Sequence, residues 1–500
     1  MSALLVADCG RAVALALLAV AFARLLAVLV AGIRGRLVVA LLMAWVLVPA
    51  LAIGYAWAAL PVRALAGPCA HQVVHAVLVG LRLAPVALAV AWAAPAAPWT
   101  AAACVIAGQV APEQRTRAGL PAPWVAWWLR GPGRRWVLAA LVVFPLAAGE
   151  FEIGSRLDVG VWAVRLFDAQ AGGEDLRATL WRALPVVLVQ SAALVAAWVI
   201  ARGRGNSVES DESIADTVGE RASAPKSWVA WAVVAVGTLA LVVVPLGMVA
   251  APLGESLAAT WSMAGAIRRE LAATIVFGLA GGTCAWWLAG STQVAGIPSV
   301  RHSRSGSWWS AAVIAVAALG LCGGMPLGLA MIATLPPAWV ATPAPLVVAL
   351  AVLALPFALM ARRLCSGEAA ALHSARMLLF GDRRQIRSGL HVLWRIGAGP
   401  RWWAWAGLTW WCAWELPASA VLHPLDMTPV LVLLYNFMHY GESAALSAQL
   451  GLALIVPLAG LALLYPVARW WSGRIALAGA WLNREGHPSP HGVGTGKRQP

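Results

Sequence analysis

Charge is the scarcest property of this sequence. Asp, Glu, Lys and Arg make up 11% of its 500 residues, less than half of the ~25% typical of a soluble domain. Paired cysteines are lacking too. Cys9, Cys69, Cys104, Cys284, Cys322, Cys365 and Cys412 are scattered with no CxxC pair, which supports neither a disulfide framework nor a zinc site. A phosphate loop is missing. The C-terminal "GVGTGKRQ" has His491 where the first glycine belongs and Arg498 where magnesium needs Ser or Thr, and no strand precedes it. An energy source for this chain therefore lies in another chain or in an ion gradient. The N-terminal "MSALLVADCGR" has no basic leader, so the first apolar stretch reads as a retained span rather than a signal peptide. Alternation is absent as well, which excludes a β-barrel built from ~10-residue alternating segments.

What the chain does have is apolar length. It is 61% hydrophobic with a mean hydropathy of +0.78, in recurring runs of ~20 residues, enough to cross ~30 Å of hydrocarbon as helix. The expectation is an all-α polytopic membrane protein. Spans are expected near 12–33, 37–60, 72–94, 97–110, 136–150 and 179–201, then 228–250, 268–291, 308–334, 343–361, 402–422 and 446–470. The net charge of +15 is then read as orientation rather than nucleic-acid binding, because arginine-rich loops stay cytoplasmic. The 29 tryptophans fit an interfacial belt. Arg34 and Arg36, between the first two spans, fall outside on this scheme, against the charge rule.

Between the two sets of spans lies "RGRGNSVESDESIADTVGERASAPKS", Arg202 to Ser227. It has almost no large apolar residue and reads as a flexible cytoplasmic linker. The expected organisation is 1–202 as a first transmembrane half, 203–227 as linker, 228–472 as a second half and 473–500 as a cytoplasmic tail.

Polar residues inside or beside apolar runs are the candidate functional groups. His71 and His75 are four apart on a helix and could share a metal, but only Cys69 stands nearby, so a helix-end pair is the better reading. Arg24 and Arg82 either snorkel or pair. Glu150 and Glu415 end apolar spans, and a carboxylate there faces a cavity, a partner group or the outer surface.

The two glutamates belong to a repeat. "AAGEFEIGSRLDVGVWAVRLFDAQAGGEDLRATL" from Ala147 aligns with "CAWELPASAVLHPLDMTPVLVLLYNFMHYGESAALSAQL" from Cys412. Glu150 meets Glu415, Phe167-Asp168 meets Tyr435-Asn436, and Gly173-Glu174 meets Gly441-Glu442, 265 to 268 residues apart. This predicts two similar six-span units, about 12 transmembrane helices in all, packed around a pseudo-twofold axis, with a substrate path at their interface.

"ELPASAVLHP…TPVLVLLYNFMHYGESAALSA" resembles fused two-half ABC-importer permeases of the ferric-iron and thiamine type. The resemblance implies a MetI-like permease fold in a bacterial inner membrane and no catalytic residue, cofactor or metal of its own. It also implies a separate ABC ATPase dimer at the cytoplasmic face, a periplasmic binding protein outside, and iron or a related small solute as cargo. Coupling in that family runs through a cytoplasmic Glu-Ala-Ala loop with a glycine six residues after the Glu. Its counterparts here are Glu113, Arg115, Arg117 and Gly119 in "EQRTRAG". In the second half they are Glu368, Ala369, Ala370 and Ser374 in "EAAALHSA", with Gly381 as the alternative glycine. Equivalent places in the repeat make Glu150 and Glu415 candidates for bracing an outer gate, and Tyr435, Asn436, His439 and Gly441 join them as a gate or outer-face group, or as the anchor of a short re-entrant turn. The main alternative is a gradient-driven secondary transporter with an internal repeat, which requires midplane carboxylates. A membrane enzyme such as a lipid transferase would need an acidic or His cluster at one face, and only Tyr435 to Glu442 approaches that.

Overall fold

The computed structural model describes residues 2–30, 35–60, 62–95, 97, 127–202, 224–255, 265, 267–294, 304–365, 369–380, 382–440 and 443–485. Every regular element among them is helical. In chain order they are α1 (Ser2–Val30), α2 (Gly35–Leu47), α3 (Ala50–Ala59), α4 (Val62–Ala93), α5 (Arg134–Ala148), α6 (Glu152–Arg156), α7 (Trp162–Ala171) and α8 (Leu176–Arg202). Next come α9 (Ala224–Thr238), a π turn (Leu239–Val243), α10 (Val244–Glu255), α11 (Arg268–Val294), α12 (Arg304–Leu321), α13 (Gly324–Thr334), α14 (Pro337–Val340) and α15 (Ala344–Leu364). Last are α16 (Ala369–Met377), α17 (Arg383–Leu393), α18 (Gly399–Ala413), α19 (Leu416–Leu422), α20 (Val430–Tyr440) and α21 (Ser443–Glu485).

Among the described residues seven helices are long and apolar enough to cross a membrane, or nine when each of two bent pairs counts as one span. Their outward faces are as greasy as their inward ones. Leu188, Val195 and Val199 on α8 and Ile455, Leu463 and Val467 on α21 are all exposed, the reverse of a water-soluble surface. The chain is an all-helical, multi-pass membrane protein. The expected span 97–110 lies almost wholly outside the described residues, as does the expected linker 203–227 up to 223, while 224–227 open α9 instead of ending a linker.

Helix breaks have local causes. α2 and α3 meet at 80°, because Pro49 is extended and disfavours a helical residue before it. α12 and α13 meet at 112° through Gly323 at φ 102°, a conformation costly to any side chain with a Cβ. The expected continuous span 402–422 is corrected. It is two helices, with α18 ending at Ala413 and α19 starting at Leu416 behind an extended Glu415. Pro417 in the first turn of α19 suits a start, not a continuation. At the other end of the chain, α21 runs on to Glu485, past the point where a tail was expected at 473.

Helices approach closely where glycine permits. α11 packs antiparallel to α18 with Gly278 and Gly282 against the backbone of Thr409, and places Gly281 against Leu350 of α15. In lipid such contacts are driven by backbone proximity and dispersion. Trp410 donates to Leu47 O at 2.6 Å, Trp45 to Thr238 Oγ1 at 3.1 Å and Trp57 to Ala240 O at 2.9 Å. These bonds stitch residues distant in sequence into one core, which runs from Ala12 to Leu454.

Two contact sets fix which helix ends lie together. The Arg24 guanidinium stands over Trp128 and Trp136, 5.6 and 6.0 Å from their centroids, so the end of α1 meets the start of α5. Asp8 pairs with Arg165 at the opposite end. Arg36, in the first turn of α2, therefore shares an end of the bundle with Arg130, Arg134 and Arg135. The expectation that it lies at the other end of the bundle from them is overturned. Arg34 lies outside the described residues.

The close α11–α18 contact yields a prediction. A Cβ at Gly282 would lie 2.8 Å from Thr409 N and Cα, and backbone cannot step aside. Gly282→Ala is expected to cost about 1–3 kcal/mol, read as a lower unfolding midpoint in detergent. Gly407→Ala, with nothing within 4 Å, is expected to be neutral or stabilising by up to about 1 kcal/mol.

Candidate functional site

A buried polar island sits where the broken helices converge. Glu150 follows the end of α5, and its carboxylate accepts from the N–H groups of Ile153 at 2.7 Å and Gly154 at 3.1 Å. It thereby caps α6. The same carboxylate is 2.9 Å from Nε2 of His75, whose side chain is only 1% exposed. Glu415 plays the matching local part for α19, accepting from Ala418 N at 2.9 Å. Its carboxylate also fills the space beside Gly324, at the start of α13. Glu152, buried in α6, lies by the backbone N–H groups of Leu416 and Leu51, in the first turns of α19 and α3. Helix N-termini have orphan N–H groups and positive partial charge. Here Glu150 and Glu415 satisfy the starts of α6 and α19, and Glu152 lies by those of α3 and α19.

The positive groups come from α4 and α6. Arg82 lies two turns beyond His75 on the same face of α4, and its charge acts on both Glu150 and Glu152. Arg156, half-buried at the end of α6, lies by Tyr55 and Tyr435. Glu150 is thus paired with His75, and the Arg82 guanidinium acts on Glu150 and Glu152, the kind of compensation that buried charge requires.

Beside the island stands an aromatic trio. Phe151, Phe167 and Tyr435 have centroids 4.9, 5.7 and 5.5 Å apart, with Phe167 edge-on to Tyr435 at 82°. The Tyr435 hydroxyl is 3.2 Å from Ser155 Oγ, and Tyr55 is 3.0 Å from Ser447 Oγ. A cavity of about 200 Å³ lies between α1 and α4, lined by Arg11, Leu15, Leu18, Gln72, His75 and Val159. His75 thus touches the cavity on one side and the carboxylate island on the other.

The expected site residues separate into groups. Glu150, Glu415 and Tyr435 come together in the core, and neither glutamate is exposed at an outer surface. Asn436 is exposed on α20, and His439 falls in its last turn. Of the coupling residues, Ala369 and Ala370 open α16 and Ser374 is exposed on it. Glu113, Arg115, Arg117, Gly119, Glu368, Gly381 and Gly441 lie outside the described residues. Arg134, in the first turn of α5, is buried and donates to Ile200 O at the end of α8. The His71–His75 reading changes too, because His75 pairs with Glu150, 75 residues away.

Sequence reasoning missed Glu152, Arg156 and the role of Arg82. The signals were present: Glu152 is two residues from Glu150, and Arg82 is seven from His75 on a helix. Among the described residues no group of three His, Cys, Asp or Glu is placed to hold a metal ion. No protein-family model, no curated protein and no solved structure matches this chain.

The His75–Glu150 pair gives the next prediction. Removing one partner of a buried pair costs about 3–5 kcal/mol, while replacing both by apolar groups costs far less. His75→Leu and Glu150→Leu are each expected to destabilise strongly, Glu150→Leu more because the cap of α6 goes with it. The double variant should fall well short of the sum, measured as a double-mutant cycle in denaturant.

Proposed function

We propose that this chain is the membrane-spanning permease of an ABC importer, made of two parallel copies of one helical unit. The observation that carries the reading is the recurrence of element order and packing. α1, the bent pair α2–α3, α4, α5, the short pair α6–α7 and α8 correspond to α11, the bent pair α12–α13, α15, α18, the short pair α19–α20 and α21. In each set the first helix packs on the third and on the helix that ends before the key glutamate. In each, the second limb of the bent pair packs on the short helix after that glutamate. Each unit then has five spans plus a re-entrant pair, and α9–α10 is a connecting helix rather than part of either copy. Phe167 and Tyr435, equivalent in the repeat, touch each other, as residues beside a twofold axis do.

On this reading the arginine-rich end is cytoplasmic. There α16 and α17 form a helical hairpin, with Asp382 and Gln385 making a capping box for α17. Arg384 and Arg387 stay exposed, while Gly389 packs against Ala375 O and Leu378. Such a basic amphipathic hairpin suits docking to a separate ATPase dimer, and the Glu113–Gly119 segment would be its counterpart in the first copy. A periplasmic binding protein would deliver a small solute, such as iron, to the opposite end, in a bacterial inner membrane. ATP-driven closure of the ATPase would rock the copies across the island, which acts only by its differential stability in the two states.

One observation favours a second reading. Three buried carboxylates at the junction are what a gradient-driven transporter with an internal repeat would use. A single experiment separates the two. Reconstituted with an ABC ATPase subunit sought among the products of neighbouring genes, the chain is expected to bind it and stimulate ATP hydrolysis. Glu113→Arg with Glu368→Arg should reduce that stimulation at least tenfold. A chain that transports with no ATPase, driven by an imposed ion gradient, sinks the importer reading. Single cysteines at Arg130 and Arg387 should label only from inside, and at Asp158 and Leu425 only from outside.

A further inference from the structure

A second basic site lies away from the island, at the end of the bundle where α1 finishes and α5 begins. Arg24 is exposed on α1, and Arg135 is half-buried in the first turn of α5. Both lie on Trp136, at 6.0 and 5.3 Å from its centroid, and Arg24 also lies over Trp128 at 5.6 Å. Like charges this close repel, and each acts on the other. Among the described residues neither forms an ion pair with a carboxylate. The Arg135 Nε is buried with no hydrogen-bond partner there. Composition agrees, since the sequence has no Asp or Glu from Cys9 to Gly149 except Glu113.

We propose that Arg24 and Arg135 bind the phosphate of an anionic phospholipid headgroup, with Trp128 and Trp136 as the walls of the site. Guanidinium is planar and suits bidentate phosphate recognition while stacking on indole. Tryptophan marks headgroup depth. Basic clusters at the inner leaflet gain from its negative surface potential, and the gain falls off within a Debye length. A lipid phosphate fits better than a free one because Arg24 faces outward from a membrane helix, where an acyl chain can lie along α1. The site stands independently of the transport reading.

Native mass spectrometry of the full chain tests this, with cardiolipin, phosphatidylglycerol, phosphatidylcholine or inorganic phosphate added in detergent. Anionic lipids are expected to bind more tightly than phosphatidylcholine. The preference should fall about fivefold on Arg24→Gln and about 20- to 30-fold on Arg24→Gln with Arg135→Gln. Arg24→Gln alone changes an exposed residue, so it reports even where the double variant is poorly folded. Three results overturn the proposal. One is equal binding of all lipids, and another is an equal effect from inorganic phosphate. The third is anionic-lipid binding that appears only after Glu113 and the five acidic residues between 203 and 223 are neutralised, which assigns the site to the chain's own carboxylates.

Discussion

The fold depends on one constraint: backbone groups at broken helix ends must find partners where water is excluded. This chain breaks its membrane helices at several points, and each break strands N–H groups that would cost several kcal/mol apiece in hydrocarbon. The solution is to bring carboxylates to them. Glu150 serves the start of α6 and Glu415 the start of α19, while Glu152 lies by the starts of both α3 and α19. The charges so introduced then need His75 and Arg82. The polar island is therefore first a structural solution, and its place between elements from both ends of the chain makes it a functional candidate as well.

Much of the architecture was legible in the amino-acid sequence, because hydropathy over ~20 residues reports directly on the solvent. Span positions such as 228–250 and 268–291 match helices of the structure to within a few residues. The break at Trp414–Glu415 was not read. Tryptophan and alanine there continue an apolar run, and hydropathy averages over a single extended residue. The pair Glu415 and Pro417 signalled a helix start, yet only local capping logic, not hydropathy, uses that signal.

The site was legible by half. Aligning two stretches picked out Glu150, Glu415 and Tyr435 because rare residues in a low-diversity chain recur by spacing. The alignment has no information about which residues meet in space. His75 reaches Glu150 across 75 residues, and Ser155 reaches Tyr435 across 280. Those contacts are set by which helices pack, which in lipid depends on the placement of small residues more than on polarity. Glu152 escaped notice for a different reason: it lies by backbone N–H groups, which no side-chain pattern announces.

The length of α21 has a mechanical consequence. At 43 residues it extends about 64 Å, roughly twice the hydrocarbon thickness. One end lies by the tyrosine–serine contacts of the core. Farther along, Tyr465 receives a hydrogen bond from Trp394, which follows the basic hairpin, at 3.2 Å. Pro457 and Pro466 stand inside it, and each removes a backbone hydrogen bond where the helix can bend. One continuous helix thus ties the Tyr55–Ser447 contact to the Trp394–Tyr465 contact, with two proline bending points along its course.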